Sequence, residues 1–104
     1  MKNPERVVLE TLQGGSKWTK QTYEDGGGRM CLVGAARKKR CASKLSNLAA
    51  VIKEQYPERT FDPAPISSSS GTVIAFNDHA KTTWADVERV LEKAALRRDE
   101  MLAD

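Results

Sequence analysis

Residues 43–56 read SKLSNLAAVIKEQY, and this stretch decides the fold class. Leu45, Leu48, Ala49, Ile52 and Tyr56 recur at intervals of three and four, the spacing that gathers apolar side chains on one face of an α-helix. Pro57 follows at once and pushes the residue before it out of helical geometry, so the helix stops there. A helix with one apolar face needs neighbours to cover it.

The sequence on either side supplies them. Upstream, residues 29–41 read as a second helix with Cys31, Leu32, Ala35 and Ala36 facing inward. The run Gly34-Ala35-Ala36 leaves little side chain to hold a neighbour away, and Trp18 or Trp84 is the expected occupant of that gap. Further upstream, Asn3 and Pro4 are the cap and first-turn residues of a helix carrying Val7, Val8, Leu9 and Leu12, which Gly14-Gly15 ends. Between them, residues 16–28 hold Trp18 and Tyr23 as large anchors in a polar stretch closed by Asp25-Gly26-Gly27-Gly28, read as an irregular segment with a hairpin as the alternative.

Downstream, Pro57, Pro63, Pro65 and the run Ser67 to Ser70 predict one long loop over 57–71. Residues 72–76 include the β-branched Val73 and Ile74, but no partner strand is evident, so a short helix is expected there. Thr83 and Asp86 stand three apart as a capping box ahead of Trp84, Val87, Val90, Leu91, Ala94 and Ala95, a last helix expected to fray over 98–104. The expected fold is therefore all-α: one small single-domain helical bundle of four to five helices over 1–104.

Composition agrees with a folded chain. At 104 residues, one domain is the expectation, and an apolar fraction of 39% before counting seven glycines is too high for wholesale disorder. No apolar stretch is long enough to cross a bilayer, and the charged N-terminus is unlike a signal peptide, which predicts a soluble cytoplasmic protein without a membrane partner. Cys31 and Cys41, read as lying in one helix, would be separated by ~15 Å along its axis, too far for a disulfide. With His79 they make only three soft or borderline ligands, so no metal and no other cofactor is expected.

Charge is unevenly placed. The net value is +3, but residues 29–60 carry Arg29, Arg37, Lys38, Lys39, Arg40, Lys44, Lys53 and Arg59 against only Glu54 and Glu58, while residues 61–104 are net acidic. Arg37, Lys38, Lys39, Arg40 and Lys44 are the candidate partner-binding set, able to grip phosphates. A solvated helix end, where cations are favoured by the macrodipole, accounts for the same run. Asn77, Asp78 and His79 place an amide, a carboxylate and the only imidazole side by side, and Cys31 is the candidate nucleophile, with Arg29 near it to lower its pKa. The competing account makes Asn77 and Asp78 caps between two helices and Cys31 a small buried hydrophobe. Phosphate-cradle, dinucleotide, zinc-protease and calcium-loop patterns are all absent, which points away from an enzyme.

Taken in order, Trp18, the Cys31-x-x-Gly34-Ala35 start, Phe76-Asn77-Asp78 and Thr83-x-x-Asp86-Val87 resemble an uncharacterised family of small proteins from actinobacteria and their bacteriophages. The family pattern is an aromatic, C-x-x-G-A, aromatic-Asn-Asp and T-x-x-[DE]-V, and the likeness spans residues 18–96. Phe76 stands where a Trp is commoner, and His79 is not part of the pattern. The resemblance implies a largely helical intracellular protein, in a host cytoplasm if phage-encoded, and supplies no activity. It also marks Trp18, Cys31, Gly34, Asn77, Asp78 and Thr83 as structural motif residues. The expectations are a non-catalytic domain that binds a host protein or a second copy of itself as a homodimer, then a nucleic-acid binder using the basic set, then a thiol enzyme using Cys31 with Asp78 or His79.

Overall fold

The computed structural model describes residues 3–60 and 66–102. Five α-helices appear: α1 Pro4–Thr11, α2 Leu32–Lys38, α3 Ser46–Gln55, α4 Ser69–Asp78 and α5 Trp84–Leu102. Among the described residues no strand forms, and the irregular 16–31 segment contributes only isolated bridges, Trp18 to Met30 and Glu24 to Met30. The all-α expectation therefore holds.

Helix α3 is central, packing on both α4 and α5. Leu45, Leu48, Ala49, Ile52 and Tyr56 are all buried, as their spacing predicts. Val51 is buried as well, because two neighbours need a wider apolar face than one. Leu12, Leu32, Val73, Phe76, Val87 and Leu91 complete a core drawn from all five helices. At ~25 cal/mol per Å² of apolar surface, burying these side chains is the main favourable term for a chain this small.

The helix ends are fixed by specific bonds. The Asn3 side chain accepts the N–H groups of Glu5 and Arg6 as the α1 cap and donates to the Ala95 carbonyl at 2.8 Å. Glu5, buried on α1, receives both arms of the Arg98 guanidinium at 3.0 Å. These contacts hold α5 helical through Leu102, so the expected fraying from Arg98 does not occur; residues 103–104 lie outside the described residues. The Thr83–Asp86 capping box forms as read, with bonds of 3.2 and 3.4 Å. Asp86 also accepts from Tyr56 Oη at 3.1 Å and from Arg59 at 2.8 Å, tying the end of α3 to the start of α5. Burial works against ionising Asp86, yet these donors hold its carboxyl below the usual range.

Four further expectations are corrected. The 43–56 helix begins at Ser46, because Ala42–Lys44 is a separate 3₁₀ turn. The loop read over 57–71 is cut at both ends, by a 3₁₀ turn at Pro57–Arg59 and by α4, which starts at Ser69. The serine run works as a helix start, since the Ser68 side chain accepts the Gly71 N–H; Pro63 and Pro65 lie outside the described residues. The short helix expected over 72–76 is real and runs longer, Ser69–Asp78.

The fourth correction concerns α2. Read over 29–41, it spans only Leu32–Lys38, so Cys31 and Cys41 flank it rather than share it; both are buried free thiols. Its end is a Schellman motif: Cys41 N–H bonds the Ala36 carbonyl at 2.8 Å and Arg40 N–H bonds the Arg37 carbonyl at 3.1 Å. That motif places Arg40 in left-handed geometry, φ 59°, where glycine is the usual residue. A non-glycine residue there costs ~1–2 kcal/mol.

The Arg40 side chain is exposed, so replacing it removes no packing. Arg40→Gly is therefore expected to raise stability by about 1 kcal/mol, or a few degrees in Tm, read by thermal or denaturant unfolding. A loss of stability would contradict the assigned strain.

Candidate functional site

The irregular segment is held by one side chain. Asn77, in the last turn of α4 and fully buried, accepts the Trp18 indole N–H at 2.8 Å and the Leu32 backbone N–H at 3.0 Å on its Oδ1. Its Nδ2 donates to the Thr19 carbonyl at 3.1 Å and to Asp78 Oδ1 at 2.9 Å. Two acceptor sites and two N–H groups are all a carboxamide has, and all four are used. The Leu32 N–H is one of the orphan donors at the start of α2, so Asn77 caps that helix from a distance. Asn77 and Asp78 are thus not caps between consecutive helices, as expected, but cross-links from α4 to the 16–31 segment.

Around that carboxamide the segment is fitted closely. Asp78 Oδ1 accepts the Gln21 N–H at 2.9 Å, Lys20 Nζ donates to the His79 carbonyl at 2.6 Å, and the Trp18 and Trp84 rings lie 6.1 Å apart. The nearest neighbour of Gly34 is the backbone of Tyr23 rather than either tryptophan expected there. A Cβ there would run into the carbonyl of Tyr23, which accepts the Cys31 N–H. Gly34 is therefore required by a backbone contact. Tyr23 itself is 48% exposed, with Arg37 stacked 4.6 Å over its ring, so it is not the buried anchor expected from its size.

Two hollows flank this arrangement. The smaller, about 320 Å³, is lined by Gln21, Thr22, Tyr23, Cys31, Ile74 and Asp78. Cys31 is the α2 N-cap: its Sγ accepts the Gly34 N–H at 3.2 Å, and the residue is only 4% exposed. Burial pushes its pKa up, although the backbone N–H bonds act in the opposite sense. Arg29, expected to lower it, is engaged with Asp25 at 2.6 Å. His79 does not line the hollow; its Nδ1 accepts the Lys81 N–H at 3.1 Å. Cys31 and Asp78 thus meet at one hollow, but without an imidazole, and the thiol is used as a cap.

The larger hollow is an open groove of about 870 Å³ between α1 and the end of α2. Lys38, Lys39, Arg40 and Lys44 line it, joined by Lys17 from the irregular segment, and Glu10 is the one acidic residue on its wall. Pro4, Val7 and Met30 give it apolar patches, and no aromatic residue lines it. Lys38 pairs with Glu24 at 3.3 Å, whereas Lys17, Lys39 and Arg40 make no ion pair among the described residues. Arg37, the remaining member of the expected set, turns away to Tyr23. Lys17 was missed because nothing in its local sequence announces that the chain returns to α2 there. Among the described residues no group of three His, Cys, Asp or Glu side chains is placed to hold a metal ion, and no helix is long and apolar enough to cross a membrane.

The chain matches the model of a family of unknown function, DUF6197, over residues 6–97, and it belongs to that family. No curated protein and no solved structure matches it. The matched span includes Trp18, Cys31, Gly34, Asn77, Asp78 and Thr83.

Two outcomes follow from this geometry. Asn77→Ala leaves the Leu32 N–H and the Thr19 carbonyl without their partner and should cost about 3 kcal/mol in denaturant unfolding; a loss below about 1 kcal/mol would mean that water replaces the amide. Cys31 should alkylate slowly in the folded protein and rapidly in denaturant. Rapid native alkylation of Cys31 would instead place a reactive thiol at the smaller hollow.

Proposed function

We propose that the chain is a non-catalytic binding module that takes an anionic partner in the groove between α1 and the end of α2. The observation that carries this reading is the charge on the groove wall. Five cations and one carboxylate line it, a formal +4, and with Lys38 paired to Glu24 the remainder is +3, as much as the net charge of the entire chain. Charge is thus concentrated at one concave surface, where low-dielectric walls focus the field and draw in ligands of opposite sign. A solvated helix end accounts for Lys38 and Lys39 but not for Lys17, which reaches the groove from a different segment.

The other candidate chemistry supports a non-catalytic role. A nucleophilic thiol needs a lowered pKa and a base within reach, and Cys31 has a raised pKa with no imidazole at its hollow. Its sulfur already serves α2 as a cap. A host or self protein partner fits the same groove if it presents carboxylates there.

Anisotropy titrations test the reading. A labelled DNA duplex, a polyphosphate and a poly-glutamate peptide are titrated at roughly 50 mM salt, where such contacts are strongest. At least one should bind, weaken as salt rises, and lose most of its affinity to the Lys17→Glu/Lys39→Glu variant. Absence of binding to all three, or binding unaffected by the charge reversal, would overturn the proposal.

A further inference from the structure

We infer that the anionic partner is double-helical nucleic acid held by its phosphates, and that Arg40 is the residue that anchors it; this rests on the groove reading above. Residue type decides between the classes of polyanion. Four of the five groove cations are lysines, the residue that protein interfaces deplete, and no aromatic residue lines the wall. Protein partners derive most of their affinity from buried aromatic and arginine anchors. Single strands need rings on which to stack their bases. A groove of lysines around small apolar patches satisfies neither need. It does suit a duplex backbone, whose regularly spaced phosphates take charge-assisted bonds without any reading of bases.

Arg40 supplies the second, independent line. It occupies the left-handed position of the α2 Schellman motif, where glycine would relieve the backbone. The two Schellman bonds use that backbone geometry but not the side chain, which is exposed and makes no hydrogen bond or ion pair among the described residues. The helix stop needs the left-handed backbone but not an arginine, so the side chain is available to a ligand. Arg40 is among the residues that line the groove, and a guanidinium can take one phosphate with two parallel bonds. Gln13, φ 47°, is a second left-handed non-glycine residue on the same groove, and its amide is a further donor for a phosphate oxygen. Of the three such residues among the described ones, two therefore border this groove.

The experiment uses the full chain and the variants Arg40→Gly and Arg40→Lys. Each is titrated with one DNA duplex, with a single strand from it, and with poly-glutamate at matched charge, over a series of salt concentrations. The duplex should bind tightest. Arg40→Gly should bind it about tenfold more weakly, with a salt slope shallower by about 0.9, the loss of one phosphate contact, while its melting temperature is equal or higher. Arg40→Lys should recover the slope but only part of the affinity, because an ammonium cannot make the paired bonds. Tighter binding of poly-glutamate or of the single strand, or an unchanged slope in Arg40→Gly, would overturn this inference and leave the groove reading standing. Absence of binding to every probe would overturn both.

Discussion

The structure turns on one carboxamide. Between Gly15 and Leu32 the chain forms no regular element, and scattered backbone bonds such as Thr19 N–H to the Met30 carbonyl and Cys31 N–H to the Tyr23 carbonyl leave part of its polar groups to side chains. Asn77 answers that need from α4, taking Trp18 and Leu32 on its oxygen and giving its two N–H groups to Thr19 and Asp78. Because every bonding position is filled, the segment has one seating rather than several. The remaining close fits depend on it. With Leu32 fixed, Cys31 becomes the cap of α2, the Tyr23 carbonyl lies over Gly34, and Met30 returns beside Lys17 with a backbone bond of 2.6 Å.

That seating also decides where the charges go. Lys17 reaches the groove because its N–H bonds the Leu12 carbonyl at the end of α1 and its carbonyl accepts the Met30 N–H just ahead of α2. Lys39 and Arg40 reach it because α2 ends early in a Schellman motif rather than running on to Cys41. One arrangement of backbone therefore builds both hollows, and it buries the only thiol that the motif pattern marks while gathering cations outside. Arg40 shows a local conflict: the residue best for the backbone there is glycine, and the residue present is an arginine.

How much of this was legible follows from the range of the interactions. The α3 face, the Asn3 cap and the Thr83–Asp86 box are set by residues within four positions of one another, and all could be read directly. The α2 end was misread for a local reason of another kind: a glycine at position 40 would have announced the stop, and an arginine looks like a continuing helix. Ser68 was lost inside a composition that resembles a loop, although its position as an N-cap was present in the sequence. Asn77 stood out as a candidate, but its role depends on partners about sixty residues away in Trp18 and Thr19, which no periodicity encodes. Lys17 carries no signal at all in its own neighbourhood.

Amide hydrogen exchange at Leu32 tests the central claim most directly. As the first residue of α2, its N–H belongs to the turn that has no partner within the helix and would ordinarily exchange quickly. Held by Asn77 Oδ1, it should open only with the whole protein, with an exchange free energy equal to that of global unfolding and shared by core amides such as that of Ile52. Exchange of Leu32 at the rate of a frayed helix end, with Ile52 still protected, would contradict the account.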